Sequence, residues 1–479
     1  MDHLTRDLRY ALRILTKRPL STAIAILCLA VGIGCNATVF SVVYTVLIAP
    51  LPFPDPGQLV VVWDSNQAQQ QSESPLSAAN FTDVRDGNTV FEDMTAWNYN
   101  SYTLTGVEEP EELTALSVTA GFFSVLGTEA QLGRTFAQGE DAPGRSGAVV
   151  LSHGLWQRRF GGLENILGRT ISLDQAPFEV VGVMPPGFDT PSDSVQLWVA
   201  GPLNTWANRA VRMLQAFARL KPDTSIAQAQ SNLDDLSAQL EQGFPAANRG
   251  WRMRMVPLHE QMVGATRTPL LLLFAAVGAI LLLACVNVAI LLLARAGTRV
   301  REVAVRTALG ASPRQLLRQL LTESLVLSGL GGLAGVALAY LMLPLLRSLA
   351  LGSIPRLDEA SIDGLALAFA VGVSLISGLL FGTAPALETL RSHPGVSLKE
   401  SSGRESTGGL KGARLGGVLV IAEVSLTVLL LVGAGLLMHS FYNLRTVDPG
   451  FRNQGILVAR IFLDGRTFLP HAHPAHPVL

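Results

Sequence analysis

Two long stretches of this chain contain no charged residue at all, and they restrict its fold more than any other feature. Residues 20–54 and residues 269–294 lack Asp, Glu, Lys and Arg entirely. A helix needs about 20 apolar residues to cross the hydrocarbon core of a bilayer, and both stretches are long enough. Charged residues make up only 15% of the chain, against roughly 25% in globular proteins. The sequence therefore predicts a membrane protein.

Three further apolar stretches bring the predicted number of membrane spans to five. We expect these spans at residues 20–49, 268–294, 321–346, 364–387 and 415–438. A basic stretch precedes the first one, as in a secretory signal peptide, but its apolar run is about twice the usual core of roughly 7–15 residues. No small-x-small cleavage site follows this run, so we expect an uncleaved anchor.

The distribution of charge predicts how the chain crosses the membrane. Basic residues are concentrated at residues 1–19, 295–320 and 388–414, whereas residues 50–267 contain more Asp and Glu than Lys and Arg. Positively charged loops stay on the cytoplasmic side, and an alternating path with a cytoplasmic N-terminus satisfies all three basic segments. We therefore predict a multi-pass protein of the cell inner membrane whose residues 50–267 form a periplasmic domain.

The two ends of the chain have related layouts. Leucines at helical spacing in residues 1–19 predict an amphipathic helix at the cytoplasmic face of the membrane. Residues 388–414 include a glycine- and serine-rich stretch and are expected to form a cytoplasmic linker. The fifth span then repeats the order of the first: a basic flank, a long apolar helix and an exit segment, here residues 439–479. This repetition predicts a truncated member of a duplicated protein, with residues 439–479 as the start of a second external domain.

Residues 50–267 show the mixture of short strands and helices that is typical of an α+β fold. Ser225 and Gln228 have the spacing of a capping box, which predicts a helix that begins there. All three cysteines lie in predicted spans, so the domain depends on its hydrophobic core and not on disulfides. We expect two α+β subdomains. Short apolar runs predict strands at residues 59–63, 148–151, 170–173, 178–183, 213–220 and 251–257, and the runs at 170–173 and 178–183 are expected to form a hairpin with residues 174–177 as its turn.

The chain contains no pattern that indicates enzymatic activity. Gly-Lys-Ser/Thr, which every phosphate-binding P-loop contains, does not occur in these 479 residues. No His or Cys residues have zinc-binding spacing, and no Ser, His and Asp residues stand in a recognisable catalytic pattern. We therefore expect no catalytic residue, no metal site and no cofactor, and any ATPase should be a separate subunit.

Three polar residues inside predicted spans are candidates for a functional role, because burying a charged side chain in hydrocarbon is costly. Glu323 lies near the cytoplasmic end of the third span, where an ion pair with Arg318 or Arg314 is the simpler interpretation. Glu423 lies deeper in the fifth span, either as a hydrogen-bonding group between helices or as a protonated acid. Asn287 is expected to hydrogen bond between helices.

The segment between the second and third spans predicts a structured cytoplasmic protrusion. Residues 303–309 carry the apolar stripe of a short amphipathic helix that would lie across the membrane face. Gly310 to Pro313 form a break, with Ser312 as N-cap and Pro313 in the first turn of a second helix that rises into the third span. Such a protrusion suits the groove of a partner. The alternative is a basic loop that only sets the topology.

This segment resembles the cytoplasmic signature of the FtsX-like permeases, the MacB/LolC/FtsX group of ABC transporters. Their pattern is R-x-R-E-x-x-x-R-x-A-L-G-A-S, followed by a rising helix with T-E-S. The matching residues are Arg299, Arg301, Glu302, Arg306, Ala308, Leu309, Gly310, Ala311, Ser312, Thr322, Glu323 and Ser324.

The layout of the chain is also similar to this family. An amphipathic helix, a first span, a large periplasmic core domain and three further spans follow one another in the same order. The opening 55 or so residues resemble a subgroup described in acidobacteria, whose duplicated permeases have eight spans and two periplasmic domains. The resemblance extends to about residue 460 and departs there, since the second domain and the last three spans are missing.

The resemblance implies a permease subunit that binds a separate ABC ATPase and transmits its motion to the periplasmic domain, for export or envelope transport. The other implied partners are a second permease copy or the missing half, and periplasmic or outer-membrane proteins; nucleic acid is not implied. Two alternatives remain: a receptor that senses a ligand without ATP, and a proton-coupled transporter that uses Glu423. The ATPase-coupling residues implied by the resemblance are Arg299, Arg301, Glu302, Arg306, Leu309, Gly310, Ala311 and Ser312.

Overall fold

The chain divides into two compact units. One consists of Met1–Ala49 and Ala265–Ile456, and the other of Pro50–Gly264 with Leu457–Leu479. We call their described parts the membrane unit and the large domain. The computed structural model describes residues 2–17, 19–106, 109–145, 147–188, 191–192, 194–201, 208–308, 313–350, 354–391 and 409–446.

Helices make up nearly all of the membrane unit and a smaller part of the large domain. In chain order they are α1 (Asp2–Lys17), α2 (Pro19–Val43), α3 (Ala78–Gly87), α4 (Phe122–Leu126), α5 (His153–Phe160), α6 (Ile226–Gly243), α7 (Pro245–Asn248), α8 (Leu258–Ala308), α9 (Pro313–Ala350), α10 (Gly364–Arg391) and α11 (Gly409–Thr446). Helix α2 continues into a π-helical turn, Tyr44–Ile48.

Five of the described helices are long and apolar enough to cross a membrane, as predicted. Their apolar portions are Pro19–Ile48, Leu258–Leu292, Leu317–Leu349, Gly364–Thr383 and Gly417–Asn443. Helices α2, α9 and α10 pack against one another, and α1 packs on α9. Leu29, Ile33, Val288 and Leu327 are among the buried residues of this bundle. The apolar portion of α11 is almost entirely exposed in the membrane unit.

The region between the second and third spans differs from the prediction of a separate short helix across the membrane face. Helix α8 runs without interruption from Leu258 to Ala308, so residues 295–308 extend the helix of the second span. Between residues 295 and 308 no proline interrupts the chain, and the basic residues there favour the C-terminal end of a helix. The second helix begins at Pro313 as predicted, and residues 313–320 of the predicted coupling segment are the first turns of α9, which continues into the third span. The break at residues 309–312 lies outside the described residues.

The large domain is built on one sheet of twelve strands. The strand order is β12-β1-β11-β4-β5-β10-β7-β9-β6, with β2 on β1, β3 on β11, and β8 paired with both β4 and β9. The strands are β1 (Leu59–Asn66), β2 (Gln71–Ser74), β3 (Leu76–Ser77), β4 (Phe91–Thr105), β5 (Glu111–Val118), β6 (Leu132–Gly133), β7 (Ala148–Leu151), β8 (Thr170–Leu173), β9 (Ala176–Val183), β10 (Leu197–Ala200), β11 (Arg212–Leu220) and β12 (Arg252–Pro257).

Two local predictions in this domain are confirmed. Ser225 and Gln228 form the capping box at the start of α6, with both reciprocal hydrogen bonds present. Strands β8 and β9 form the expected hairpin. Its turn is shorter than predicted, because Asp174 and Gln175 both adopt positive φ and β9 already begins at Ala176. Two consecutive residues with positive φ are typical of a type I′ hairpin turn.

The predicted division into two subdomains is replaced by one continuous sheet with separate layers on it. Strand β4 is 15 residues long and pairs with β11, β5 and β8, so it joins the two ends of the sheet. One buried cluster contains Val60, Phe81 and Leu233, from β1, α3 and α6. A second contains Leu155 and Val180, from α5 and β9. A third cluster, rich in aromatic residues, includes α4. Sequence patterns predicted six of the twelve strands, namely β1, β7, β8, β9, β11 and β12, and missed the long β4 that unites the sheet.

Candidate functional site

The predicted ATPase-coupling residues are only partly within the described structure. Arg299, Arg301, Glu302 and Arg306 all belong to the last turns of the long helix α8. Leu309, Gly310, Ala311 and Ser312 lie outside the described residues. The structure therefore places four of the eight predicted coupling residues on one helix, and the coupling role of all eight stays a prediction.

Glu323 is buried on α9, with 4% of its surface exposed, beside the buried hydroxyl groups of Ser324 and Ser328. Helix α10 approaches closely at this level. A Cβ on Gly382 would lie 2.9 Å from Leu321 Cδ2 and 3.1 Å from Ser324 Cβ, so glycine lets α10 pack closely on this face of α9. Ser324 thus lies in a close contact between two spans, and the predicted ion pair of Glu323 with Arg318 or Arg314 stays a prediction.

The interhelical hydrogen bond expected of Asn287 is made instead by a residue that the sequence did not single out. Asn36 is buried on α2, and its Nδ2 donates to the carbonyl oxygens of Gly32 at 2.8 Å and of Val277 on α8 at 2.7 Å. Within the described part of the chain, Asn287 is half-buried and makes no side-chain hydrogen bond. An amide in the charge-free run of the first span was the available signal.

Glycine contacts hold α2 and α9 together. A Cβ on Gly34 would lie 2.8 Å from the carbonyl oxygen of Gly335, and a Cβ on Gly335 would lie 3.1 Å from the carbonyl oxygen of Ala30. Both neighbours are backbone atoms and cannot turn away. Small residues at a crossing let helix backbones approach, which is the main source of packing energy between spans. Phe40 of α2 also stacks on Phe369 of α10, with 4.1 Å between ring centroids.

Glu423 lies on the exposed helix α11, and its side chain has no partner among the described residues. Thr427 donates a hydrogen bond to the backbone carbonyl of Glu423 and not to its carboxyl group. Neither of the two roles considered for Glu423 is tested by this arrangement.

The large domain contains a buried ion pair that the sequence did not indicate. Asp64 of β1 and Arg212 of β11 are 3.0 Å apart, with side chains 2% and 9% exposed. The Arg212 guanidinium also lies 3.6 Å from the ring centroid of Trp251 and donates to the carbonyl of Ala247 and the side chain of Asn248. Burial raises the pKa of Asp64 to about 6, although Arg212 acts in the opposite direction. The cluster ties the end of α7 to the sheet.

Among the described residues, no three His, Cys, Asp or Glu side chains are grouped so that they could hold a metal ion. The polar sites of the membrane unit join helices, and the buried ion pair of the large domain joins strands to a helix.

The chain matches two family models and resembles several solved structures. Residues 22–236 match the MacB-like periplasmic core domain, and residues 274–394 match the FtsX-like permease C-terminal domain. The periplasmic region of MacB from Actinobacillus actinomycetemcomitans is similar at 15% identity and a TM-score of 0.34, covering 44% of this chain and 92% of that one. The extracellular domain of the transporter YknZ from Gram-positive bacteria is similar at 16% identity and a TM-score of 0.32, covering 41% and 99%.

Curated relatives match part of their length. The pyoverdine export ATP-binding/permease protein PvdT of Pseudomonas fluorescens is 28% identical over 277 residues, which are 56% of this chain and 39% of that protein. The macrolide export ATP-binding/permease protein MacB of Azoarcus sp. is 28% identical over 300 residues, 61% of this chain and 43% of that protein. The chain thus spans less than half the length of these relatives. Together, the two domain matches and these relatives show that the chain belongs to the MacB/FtsX-type family of ABC transporter permeases.

Proposed function

We propose that this chain is the permease subunit of an ABC exporter and transmits the motion of an ATPase to its large domain. The observation that carries the proposal is the length of α8, which is one helix of 51 residues. At about 1.5 Å per residue it extends roughly 76 Å, more than twice the thickness of about 30 Å of a hydrocarbon core. A helix of this length can act as a lever, because it extends beyond the bilayer.

The proposed orientation has the N-terminus and the coupling residues in the cytosol and the large domain in the periplasm. It is supported by the basic residues at 1–19, 295–320 and 388–414 and by the acidic balance of residues 50–267. The match to a family domain described as periplasmic agrees with it.

The proposed partner is a separate ABC ATPase that docks on the end of α8 and the residues after it. The relatives are named as ATP-binding and permease proteins, whereas the two matched domains here are permease domains and the sequence has no P-loop. The proposed contact residues are Arg299, Arg301, Glu302, Arg306, Leu309, Gly310, Ala311 and Ser312. A second permease copy, or a second permease half of the duplicated acidobacterial type, is a further proposed partner.

Charge reversal at the contact tests the proposal. We expect Arg301→Glu with Arg306→Glu to abolish copurification of the ATPase while membrane insertion is retained. The proposed docking site would then carry two negative charges in place of two positive ones, which removes its charge complementarity to the partner. The matched control is Arg9→Glu with Arg13→Glu, which makes the same charge change at two exposed positions of α1. Copurification that is unaffected by the first pair, or lost equally with both pairs, contradicts the proposed docking site.

A further inference from the structure

The first span ends in an unusual way. After α2, residues Tyr44–Ile48 form a π-helical turn, and the N–H of Ala49 closes it by donating to the carbonyl of Tyr44 at 2.7 Å. Turns of this kind are rare and are frequently found at functional sites. The large domain begins at the next residue, Pro50. The irregular turn is therefore the last part of the membrane unit before the chain leaves it.

The loop between α9 and α10 binds this turn directly. Arg356 donates from Nη1 to the carbonyl oxygen of Ala49 at 3.0 Å. The last carbonyl groups of a helix have no partner within the helix, so this hydrogen bond supplies a missing one. Ala49 is thus fixed at both backbone groups: its N–H holds the π turn and its carbonyl holds Arg356.

Arg356 itself is firmly positioned. Its Nε and Nη2 bind both carboxyl oxygens of Glu359 at 2.8–3.1 Å, and its side chain is only 6% exposed. Its backbone has a φ of 59°, in the left-handed region that is unfavourable for a residue with a side chain. Strained backbone of this kind persists only where surrounding contacts enforce it.

The rest of the loop is tied to the same bundle. Arg347 of α9 donates to the carbonyl of Ala360, and Tyr340 of α9 donates to the carbonyl of Ile362 at 3.2 Å. Ser41 of α2 donates to the carbonyl of Ser361. The described residues of this loop thus connect α2 with α9 by hydrogen bonds. Arg356 makes the side-chain hydrogen bond from this loop to the carbonyl at the end of the π turn.

We propose that Arg356 is a latch that holds the end of the first span in its π-helical form, and that its release lets residues 44–48 rewind into an α-helix. Rewinding changes the hydrogen-bond register by one residue, which corresponds to about 100° of rotation and about 1.5 Å of rise. The segment then has two discrete states, as a device that passes motion requires. The inference rests on the proposed function only for the use of this motion.

Hydrogen exchange of the full chain in lipid nanodiscs, without any ATPase, tests the latch. In Arg356→Gln we expect the amides of residues 45–49 to exchange about tenfold faster, because a turn that is no longer held in one form passes between its two hydrogen-bonded forms and opens each amide during the change. Glu359→Gln should give a smaller increase, since the guanidinium remains but loses its orientation. The matched control is Asp358→Asn, an exposed carboxylate in the same loop, which should leave exchange unchanged. Unchanged exchange in Arg356→Gln, or an equal increase throughout α9 and α10, overturns the proposal.

Cysteine reactivity separates rewinding from simple fraying. Val46 is fully buried and Ile48 is 62% exposed. In a chain whose three native cysteines are replaced by alanine, we expect Val46→Cys to become reactive and Ile48→Cys to become less reactive to maleimide when Arg356→Gln is added. An increase at both positions means fraying and contradicts the two-state latch. Neither experiment involves the ATPase, so loss of the docking site and loss of the latch give separate results.

Discussion

At the scale of single residues, the sites of this protein are polar groups that are buried but paired. Asn36 is 3% exposed, and its side-chain amide donates hydrogen bonds to two backbone carbonyls, one of them on another span. In lipid such a bond contributes about 0.6–2 kcal/mol, because the alternative is an amide group without a partner. Asp64 and Arg212 are a similar case in the large domain. Removing one partner of a buried pair costs more than the pair contributes, since the other charge is left unpaired.

The buried carboxyl group of Asp64 predicts a dependence of stability on pH. Its pKa is about 6 in the folded protein and about 3.9 in an unfolded chain, so the folded state binds the proton more tightly. The stability that this proton gives to the folded state is fully present below the pKa of the unfolded chain and is lost as the pH rises from about 4 to about 6. As the pH rises over this window, we expect the free energy of unfolding of the large domain to fall by about 2–3 kcal/mol more in the wild type than in Asp64→Asn.

Denaturant unfolding of the full chain in detergent, measured at several pH values, checks this expectation. The control is Asp83→Asn, which removes a carboxylate that is 40% exposed and should keep the pH dependence of the wild type. Parallel curves for the wild type and Asp64→Asn would show that Arg212 keeps the carboxylate ionised throughout.

At the scale of secondary structure elements, spans were predictable and their contacts were not. A charge-free run of sufficient length predicts a membrane helix wherever it occurs, because the cost of burying charge in lipid acts on each segment by itself. The ends were harder to place. Helix α8 continues beyond residue 294 because the following residues contain no proline, and the charge pattern that marks the membrane boundary does not end a helix.

The crossing of α2 and α9 provides a prediction for these elements. We expect Gly34→Ala or Gly335→Ala to force the two helices apart and to destabilise the bundle by about 1–3 kcal/mol, because each added methyl group meets backbone atoms. Gly329→Ala is the matched control on α9, since a Cβ there has nothing within 4 Å and alanine favours a helix. Thermal stability of the detergent-solubilised chain provides the comparison. A loss at Gly329 as large as at Gly335 would argue against the close crossing.

At the scale of the whole molecule, the charge distribution predicts the orientation. In a chain without its native cysteines, we expect Ser74→Cys in the large domain to react with a membrane-impermeant maleimide in intact spheroplasts. Ser402→Cys in the predicted cytoplasmic linker should react only after lysis. The opposite pattern would reverse the orientation and exclude ATPase docking at the end of α8.

The sequence by itself determined the features that depend on short segments: five spans, a charge asymmetry, a capping box, a hairpin and a family signature at residues 299–324. The tertiary structure decided which distant segments meet. Strand β1 pairs with β11 and β12, about 157 and 190 residues later, and the pairing of β4 with β11, β5 and β8 turns two expected subdomains into one sheet. It also brought Asn36 to Val277 and Arg356 to Ala49. Hydrophobicity and local hydrogen bonding act along the chain and can be read from it, whereas close packing depends on neighbours that only the folded protein brings together.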